Sequence, residues 1–437
     1  MKYRKRVGYP VRKADTLKRM IFDSCRRFGS CDAFISRDGA EWNRISYAGF
    51  LEDVEALGTA LFSAGLSDRT FILSGENGII WATVFAAAAG GLGPVFPLPA
   101  GAGTETVADA CGLCAKPALV VADREISGLP DGTDVITFDR IPDLIAEGNE
   151  LISRDVTGYT ALEPAPGDAA LIMRCRPGKA AVFSQERICA SVDEIAANVF
   201  ADQSDVVMAA HSWSGAYSLI FGLLYPLSRG AAVAVARGLR TLVQDMKQTR
   251  PTMLCAVPGL VSAMYGGITE NVRGMGRRRE RLVRVMTKVS HGTRRIGKHF
   301  FGEIWDTFGG RLRVIFCGPG ICDEDAVRGL RSLGFRPVQT YGPSGSMPLI
   351  SMNGDVLFRD GTAGCAAPGS VIDLYDIRSD GTGRIRYKGP GCPSGFLTAS
   401  GFEPAPEDGW YYTGDSGSID PDGYIRVRVP AREEEPQ

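Results

Sequence analysis

Apolar positions along this chain repeat in two periods, and their order predicts helices alternating with short strands. Thr16–Phe28 reads as an amphipathic helix, Ala33–Ser36 and Asn43–Ser46 as a hairpin, and Tyr47–Ala64 as a second helix. Thr70–Ser74 is a strand, and Asn77–Gly90 is an Ala-rich helix built for close packing. Val95–Pro97 and Ala118–Val121 continue the strands, and Ile136–Leu151 with Glu163–Gly167 forms a connection. The middle repeats the theme: strand Val206–His211, apolar helix Tyr217–Leu227, and strands Gly230–Val235 and Met253–Pro258. Leu312–Cys317, Asp323–Leu333 and Arg336–Thr340 then read as strand, helix and strand. Beyond Asn353 the pattern turns to short strands at Asp355–Phe358, Gly369–Tyr375, Thr382–Tyr387, Tyr411–Thr413 and Tyr424–Val429. Asp-Gly pairs beginning at Asp360 and Asp380 mark turns between them. The expected fold class is α/β with a β-rich end, divided at 1–165, 166–345 and 346–437.

Strand Leu312–Cys317 ends in Gly318-Pro319-Gly320, and the next strand ends in Tyr341-Gly342. Open α/β sheets bind ligands where strand ends meet such turns. Glycine there lets backbone approach a flat ligand, and Tyr341 offers a ring to stack on it. On the residues alone, a nucleotide shelf and two ordinary strand-to-loop turns remain open alternatives.

Composition narrows the class. A chain of 437 residues exceeds one ordinary core, so two or three subdomains are expected. Its net charge of −1 gives no global pull toward nucleic acid or anionic membrane. No apolar run reaches membrane-spanning length, and the start lacks the apolar core of a signal peptide, so the expected location is cytoplasmic. The eleven Cys are scattered through apolar segments rather than arrayed as a disulfide framework. Cys111 and Cys114 form a C-x-x-C that is expected to be buried packing, and with three His in the chain no metal site is expected.

Arg273 to Lys298 is the one basic stretch, with Leu282, Val285, Met286 and Val289 at helical spacing among the cations. A solvated helix face, a membrane-surface helix and a nucleic-acid patch compete for it. No aromatic residues interleave with the Arg cluster, which argues against nucleic acid.

The 310–353 stretch resembles the adenine-binding region of the adenylate-forming (AMP-dependent) synthetase and ligase superfamily, within it the long-chain fatty acid–CoA ligases. Gly318-Pro319-Gly320, Leu333-Gly334-Phe335, Tyr341-Gly342-Pro343-Ser344-Gly345, Pro348 and Ser351-Met352-Asn353 keep the frame, with Gly345 in place of a Glu. Gly409–Asp415 followed by Asp420–Tyr424 resembles the segment whose Asp takes both ribose hydroxyls, which points to Asp415. Ala431-Arg432 resembles the hinge before a mobile carboxy-terminal domain, which is expected to be absent here.

The resemblance implies two stacked α/β subdomains in αβαβα layers plus a β-barrel-like part. It implies a site for ATP or AMP lined by Gly318, Pro319, Gly320, Tyr341, Gly342, Asp415 and Arg432, and an acyl or other carboxylate ligand beside His211. The phosphate loop departs: Asp168, Lys179 and Ser184 align, but the Ser-Gly-Thr-Thr core is gone. Arg174, Arg176 and Lys179 are left as either an anion attractor or a solvated loop. Loss of the loop, the Glu and the Lys-bearing domain leaves Mg and CoA in doubt, along with ATP turnover. Activation of a carboxylate, by the resemblance a fatty acid, as its acyl-adenylate with a partner protein supplying the missing domain, and a catalytically silent acyl- or nucleotide-binding relative with a regulatory or scaffolding role, both follow. Peripheral membrane contact through Arg273–Lys298 is the corresponding surface expectation.

Overall fold

The computed structural model describes residues 8–38, 41–274, 302–342, 349–367 and 369–428. In chain order its strands begin with β1 (Asp32–Asp38), β2 (Glu41–Ser46), β3 (Thr70–Ser74), β4 (Val95–Leu98), β5 (Ala118–Ala122) and β6 (Asp134–Thr137). The central strands are β7 (Ala169–Arg176), β8 (Lys179–Ser184), β9 (Val206–Ala209), β10 (Ala232–Val235), β11 (Met253–Ala256), β12 (Val314–Cys317) and β13 (Arg336–Tyr341). The last group is β14 (Ser351–Met352), β15 (Cys365–Ala366), β16 (Val371–Tyr375), β17 (Gly383–Lys388), β18 (Gly395–Thr398), β19 (Gly401–Pro404), β20 (Tyr411–Ile419) and β21 (Ile425–Arg428).

These strands form three sheets among the described residues. A nine-stranded sheet runs β15-β14-β13-β12-β11-β9-β10-β1-β2, and an eight-stranded sheet runs β19-β18-β8-β7-β4-β3-β5-β6. A four-stranded antiparallel sheet runs β16-β17-β20-β21. The centres of the two large sheets are parallel and fully buried, which explains why β3, β5 and β11 are continuous apolar runs. The fold is therefore mixed α/β, as expected.

The main core lies between the large sheets. Helices Leu17–Arg27, Tyr47–Ser63, Ile79–Ala87 and Gln185–Asn198 fill that layer with Trp81, Phe85, Phe50 and Ile188. Two of these helices start at a side-chain cap: Thr16 Oγ1 accepts from Arg19 N and Ser46 Oγ from Gly49 N. Gln185 stitches the layer together, accepting from Leu17 N at 2.8 Å and donating to the Ala89 carbonyl at 2.9 Å. Separate clusters cover the outer faces, one under Pro258–Gly274 and Glu324–Ser332 and one under Thr104–Leu113. No helix of the described residues is long and apolar enough to cross a membrane.

Several local expectations change. Sheet membership crosses the spans read from the sequence: β1 pairs in parallel with β10, whereas β7, β8, β18 and β19 join β4. Asp355–Phe358 is not a strand. Asp355 is buried and bonded by Tyr9 Oη at 3.1 Å, Gly354 N closes a turn on the Leu357 carbonyl, and Val356, Leu357 and Phe358 face solvent. The connection at 136–151 holds the end of β6 and most of helix Ile141–Ser153.

Candidate functional site

The turn after β12 is held from the neighbouring strand. Gln339 of β13 donates to the carbonyls of Cys317 and Gly320 at 3.1 and 2.8 Å, and its oxygen accepts from Cys322 N at 2.9 Å. Thr340 Oγ1 donates to the Cys317 carbonyl at 3.1 Å. A single amide thus fixes both ends of Gly318-Pro319-Gly320, whose Gly318–Pro319 peptide is cis. Gly320 has φ +96°, which favours glycine. At Gly318 the reason is space: a Cβ would stand 2.2 Å from Thr340 Oγ1 and 3.0 Å from Tyr217 Cε2. Asp323 then caps helix Glu324–Ser332 through Ala326 N.

Tyr341 ends β13, and its hydroxyl donates to Asp415 Oδ2 at 2.8 Å. A bulge delivers Asp415 to that position. Between the pairs Arg384↔Ser416 and Arg386↔Tyr412, β20 carries Thr413, Gly414 and Asp415 opposite Ile385 alone. Gly414 turns the chain at φ +82°, Thr413 Oγ1 donates to the Ile385 carbonyl, and Asp415 N donates back to Thr413 Oγ1. The Tyr341 ring is 3% exposed, packed with Ile350, Ala363, Ile385 and Ile425. Burial and the Asp415 charge push its phenol pKa upward, so it stays a donor at neutral pH. Burial also raises the Asp415 carboxyl, and the Tyr341 hydrogen bond opposes that rise. Asp415 Oδ1 has no hydrogen-bond partner among the described residues.

The segment aligned with a phosphate loop is a β-hairpin. Arg176 pairs with Lys179 across Pro177-Gly178, with Gly178 at φ +70°. Proline followed by a left-handed glycine is the signature of a tight two-residue turn. Arg174 donates to Asp109 at 2.9 Å, and Lys179 Nζ lies 4.4 Å from the Phe396 ring centre and 3.9 Å from Glu403. Arg176 is exposed. Ser184 is buried at the start of helix Gln185–Asn198, and its hydroxyl has no partner among the described residues.

His211 follows β9 in a turn gripped by Asn77, which donates to the His211 carbonyl at 2.8 Å and accepts from Trp213 N at 2.9 Å. Burial lowers the His211 pKa, which favours the neutral imidazole at pH 7.

A sequence model for AMP-binding enzymes matches residues 21–397. The chain belongs to the AMP-binding enzyme family. Among its curated relatives, a probable CoA ligase of Humulus lupulus is 28% identical over 46% of this chain and 34% of its own length. Human long-chain-fatty-acid–CoA ligase 1 is 27% identical over 46% of this chain and 31% of its own. The matched region thus spans about a third of the length of these relatives. The fold is also that of VinN, solved in complex with L-aspartate, at a TM-score of 0.74 and 20% identity over 96% of this chain and 99% of that one.

Within this family member the structure joins Gly318–Gly320 to Tyr341 through Gln339 and Thr340, and Tyr341 to Asp415 through one hydrogen bond. Gly342 follows directly and is half-buried. Gly345, Arg432 and the basic stretch beyond Gly274 lie outside the described residues. Sequence reasoning missed Gln339; it offered the Tyr341 ring for stacking, and the structure adds the phenol hydrogen bond to Asp415. It also passed over Trp213 and Tyr217, whose signal was two hydrogen-bonding aromatics beside an apolar helix.

Proposed function

We propose that this protein binds an adenylate, AMP or an acyl-AMP, together with a carboxylic acid, and has given up tight binding of ATP. The observation that carries this reading is the Tyr341–Asp415 hydrogen bond. It joins the end of β13 to a carboxylate whose second oxygen is free to accept from a ligand hydroxyl. Gly318 and Gly320 lie in the turn that Gln339 and Thr340 hold, and Asp415 would take the ribose. The other half of the reading rests on the 174–180 hairpin. Phosphates are held in nucleotide-binding loops by a cradle of backbone N–H groups and hydroxyls. A two-residue turn supplies no such cradle, and Arg174 and Lys179 are each near a carboxylate of the chain. Ligation of a carboxylate to a thiol remains the second reading. It is favoured by the acyl-CoA ligases among the relatives, of whose length the matched region covers about a third.

Calorimetric titration with AMP, ATP–Mg and a stable acyl-adenylate analogue tests the choice. AMP and the analogue should bind, ATP–Mg should bind no better than AMP, and Asp415→Ala should weaken AMP at least ~10-fold, as expected for lost charged hydrogen bonds. ATP–Mg binding much tighter than AMP, or ATP–pyrophosphate exchange on adding an acid, would restore the ligase.

A further inference from the structure

Three polar side-chain atoms near the nucleotide turn are buried with nothing to bond to among the described residues: His211 Nε2, Trp213 Nε1 and Tyr217 Oη. Native proteins pair nearly all such groups, so each unpaired one calls for a physical reason. Trp213 is fully buried and Tyr217 is 5% exposed, so bulk water does not supply the missing partner. Tyr217 Oη lies by the Ala256 backbone yet makes no hydrogen bond of normal geometry.

His211 and Trp213 lie in the turn after β9 that Asn77 grips, and Tyr217 lies against the turn after β12. A Cβ on Gly318 would stand 3.0 Å from the Tyr217 ring, which places that ring against the nucleotide turn. A Cβ on Gly222 would stand 3.4 Å from Trp213 Nε1 and 3.8 Å from Cys255 Sγ, which places the indole N–H beside β11. Gly222 itself sits in a π-helical turn, Ile220–Leu224, inside an otherwise α-helical run. Such turns reshape a helix locally and recur at functional sites.

The surroundings restrict what can fit. Aromatic rings form a floor: Trp213 lies 5.4 Å from Trp81 and 6.5 Å from Phe34, Tyr217 4.8 Å from Phe221, and Phe221 4.9 Å from Phe316. A long straight alkyl chain would have to displace packed rings. The groups acting on the Tyr217 hydroxyl are the thiols of Cys255, Cys317 and Cys322 and a backbone amide, and burial alone acts on His211. Among the described residues no cation acts on either group, so a second buried carboxylate would go unpaired, at heavy cost. Trp213 N–H is a donor only and Tyr217 O–H is a ready donor, so a ligand should present an acceptor oxygen.

We propose that the acid bound beside the nucleotide turn is a compact carboxylic acid carrying a neutral oxygen, a hydroxyl or oxo group, that satisfies Trp213 and Tyr217. A long unbranched fatty acid does not meet these requirements. This substrate class deepens the adenylate-and-acid reading above and rests on it.

The test is calorimetry of the full chain, with and without AMP, using benzoate and para-hydroxybenzoate, hexanoate and its oxo derivative, and palmitate. At least one oxygen-bearing acid should bind about tenfold tighter than its unsubstituted partner, the scale of one well-placed hydrogen bond in a buried site. Tyr217→Phe and Trp213→Phe should both erase that preference, and Tyr217→Phe should leave the ligand-free melting temperature equal or higher, because it keeps the ring and removes a buried group that has no partner. Palmitate binding tightest, preference surviving both variants, or no acid binding to a sample that binds AMP would each overturn the proposal. Acid preference in a protein that ignores AMP would support the polar site and sink only the nucleotide reading.

Discussion

Asp415 must be ionised to accept hydrogen bonds through both oxygens, and its surroundings pull against ionisation. Burial raises its pKa, and only the Tyr341 hydroxyl is seen to hold it down. Binding of a ribose diol favours the charged form, so AMP affinity should fall as pH drops through the raised pKa of Asp415. Tyr341→Phe removes the opposing donor. The midpoint of that fall should then move to higher pH, and affinity at the upper plateau should drop only modestly because Asp415 itself remains. A phenol-to-carboxylate hydrogen bond contributes roughly 1.5–3 kcal/mol, so the same variant should lower stability by an amount of that order. Calorimetry of wild type and Tyr341→Phe from acid to neutral pH checks both. An unmoved midpoint would mean that the 2.8 Å contact does not govern the Asp415 charge.

At the scale of elements, the hairpin between β7 and β8 is where resemblance and local chemistry disagree. Alignment to a phosphate loop treats Lys179 as a phosphate ligand, yet the Pro177-Gly178 dipeptide was a turn signal visible in the sequence itself. The structure follows the dipeptide. Lys179 instead packs on Phe396 and faces Glu403, contacts worth about 0.5–1 kcal/mol at a partly exposed site. Lys179→Ala should therefore lower stability by about 1 kcal/mol or less and leave ATP–Mg affinity within about twofold, since the pairing contacts are weak ones. A tenfold loss would show that the lysine does reach phosphate. Strands β3, β5, β9, β11 and β12 were legible because parallel strands buried on both faces are bare apolar runs closed by turn residues. Their sheet partners were not. The β1–β10 pairing joins Phe34 to Val233, and nothing local to either segment specifies it. Strands β18 and β19 were missed for the same reason, since they are strands by virtue of lying on β8. The site divides likewise. Gly318, Tyr341 and Asp415 stood out as motif residues, but the bond between the last two and the unpaired state of Trp213 and Tyr217 exist only after folding.

The whole molecule depends on how the four-stranded sheet is attached to the layered body, and one attachment is a buried acid. Glu194 of helix Gln185–Asn198 is 4% exposed. Its Oε1 accepts from Ser370 Oγ at 3.3 Å, and Ser370 in turn shares a hydrogen bond of 2.9 Å with Tyr387 Oη of β17. Its second oxygen has no partner among the described residues. Burial pushes the carboxyl up to about 8, with the Ser370 bond pulling down and the Asp193 charge adding to the rise. The ordinary value for such a group is 4.5. Between those two values the folded protein keeps a proton that the unfolded chain has released, so this group favours folding most at acid pH. The contribution is complete below pH 4.5 and is lost as pH rises toward 8. At about 1.4 kcal/mol for each unit of difference, the loss is on the order of 5 kcal/mol, a large share of a typical domain's stability. Glu194→Gln keeps the shape and a hydrogen-bonding head without the titration. The urea midpoint of the wild type should thus fall from mildly acidic to mildly alkaline pH, while that of Glu194→Gln should change much less and exceed the wild type at the alkaline end. Parallel pH curves for the two proteins would remove Glu194 as the pH-sensitive link between the sheet and the body.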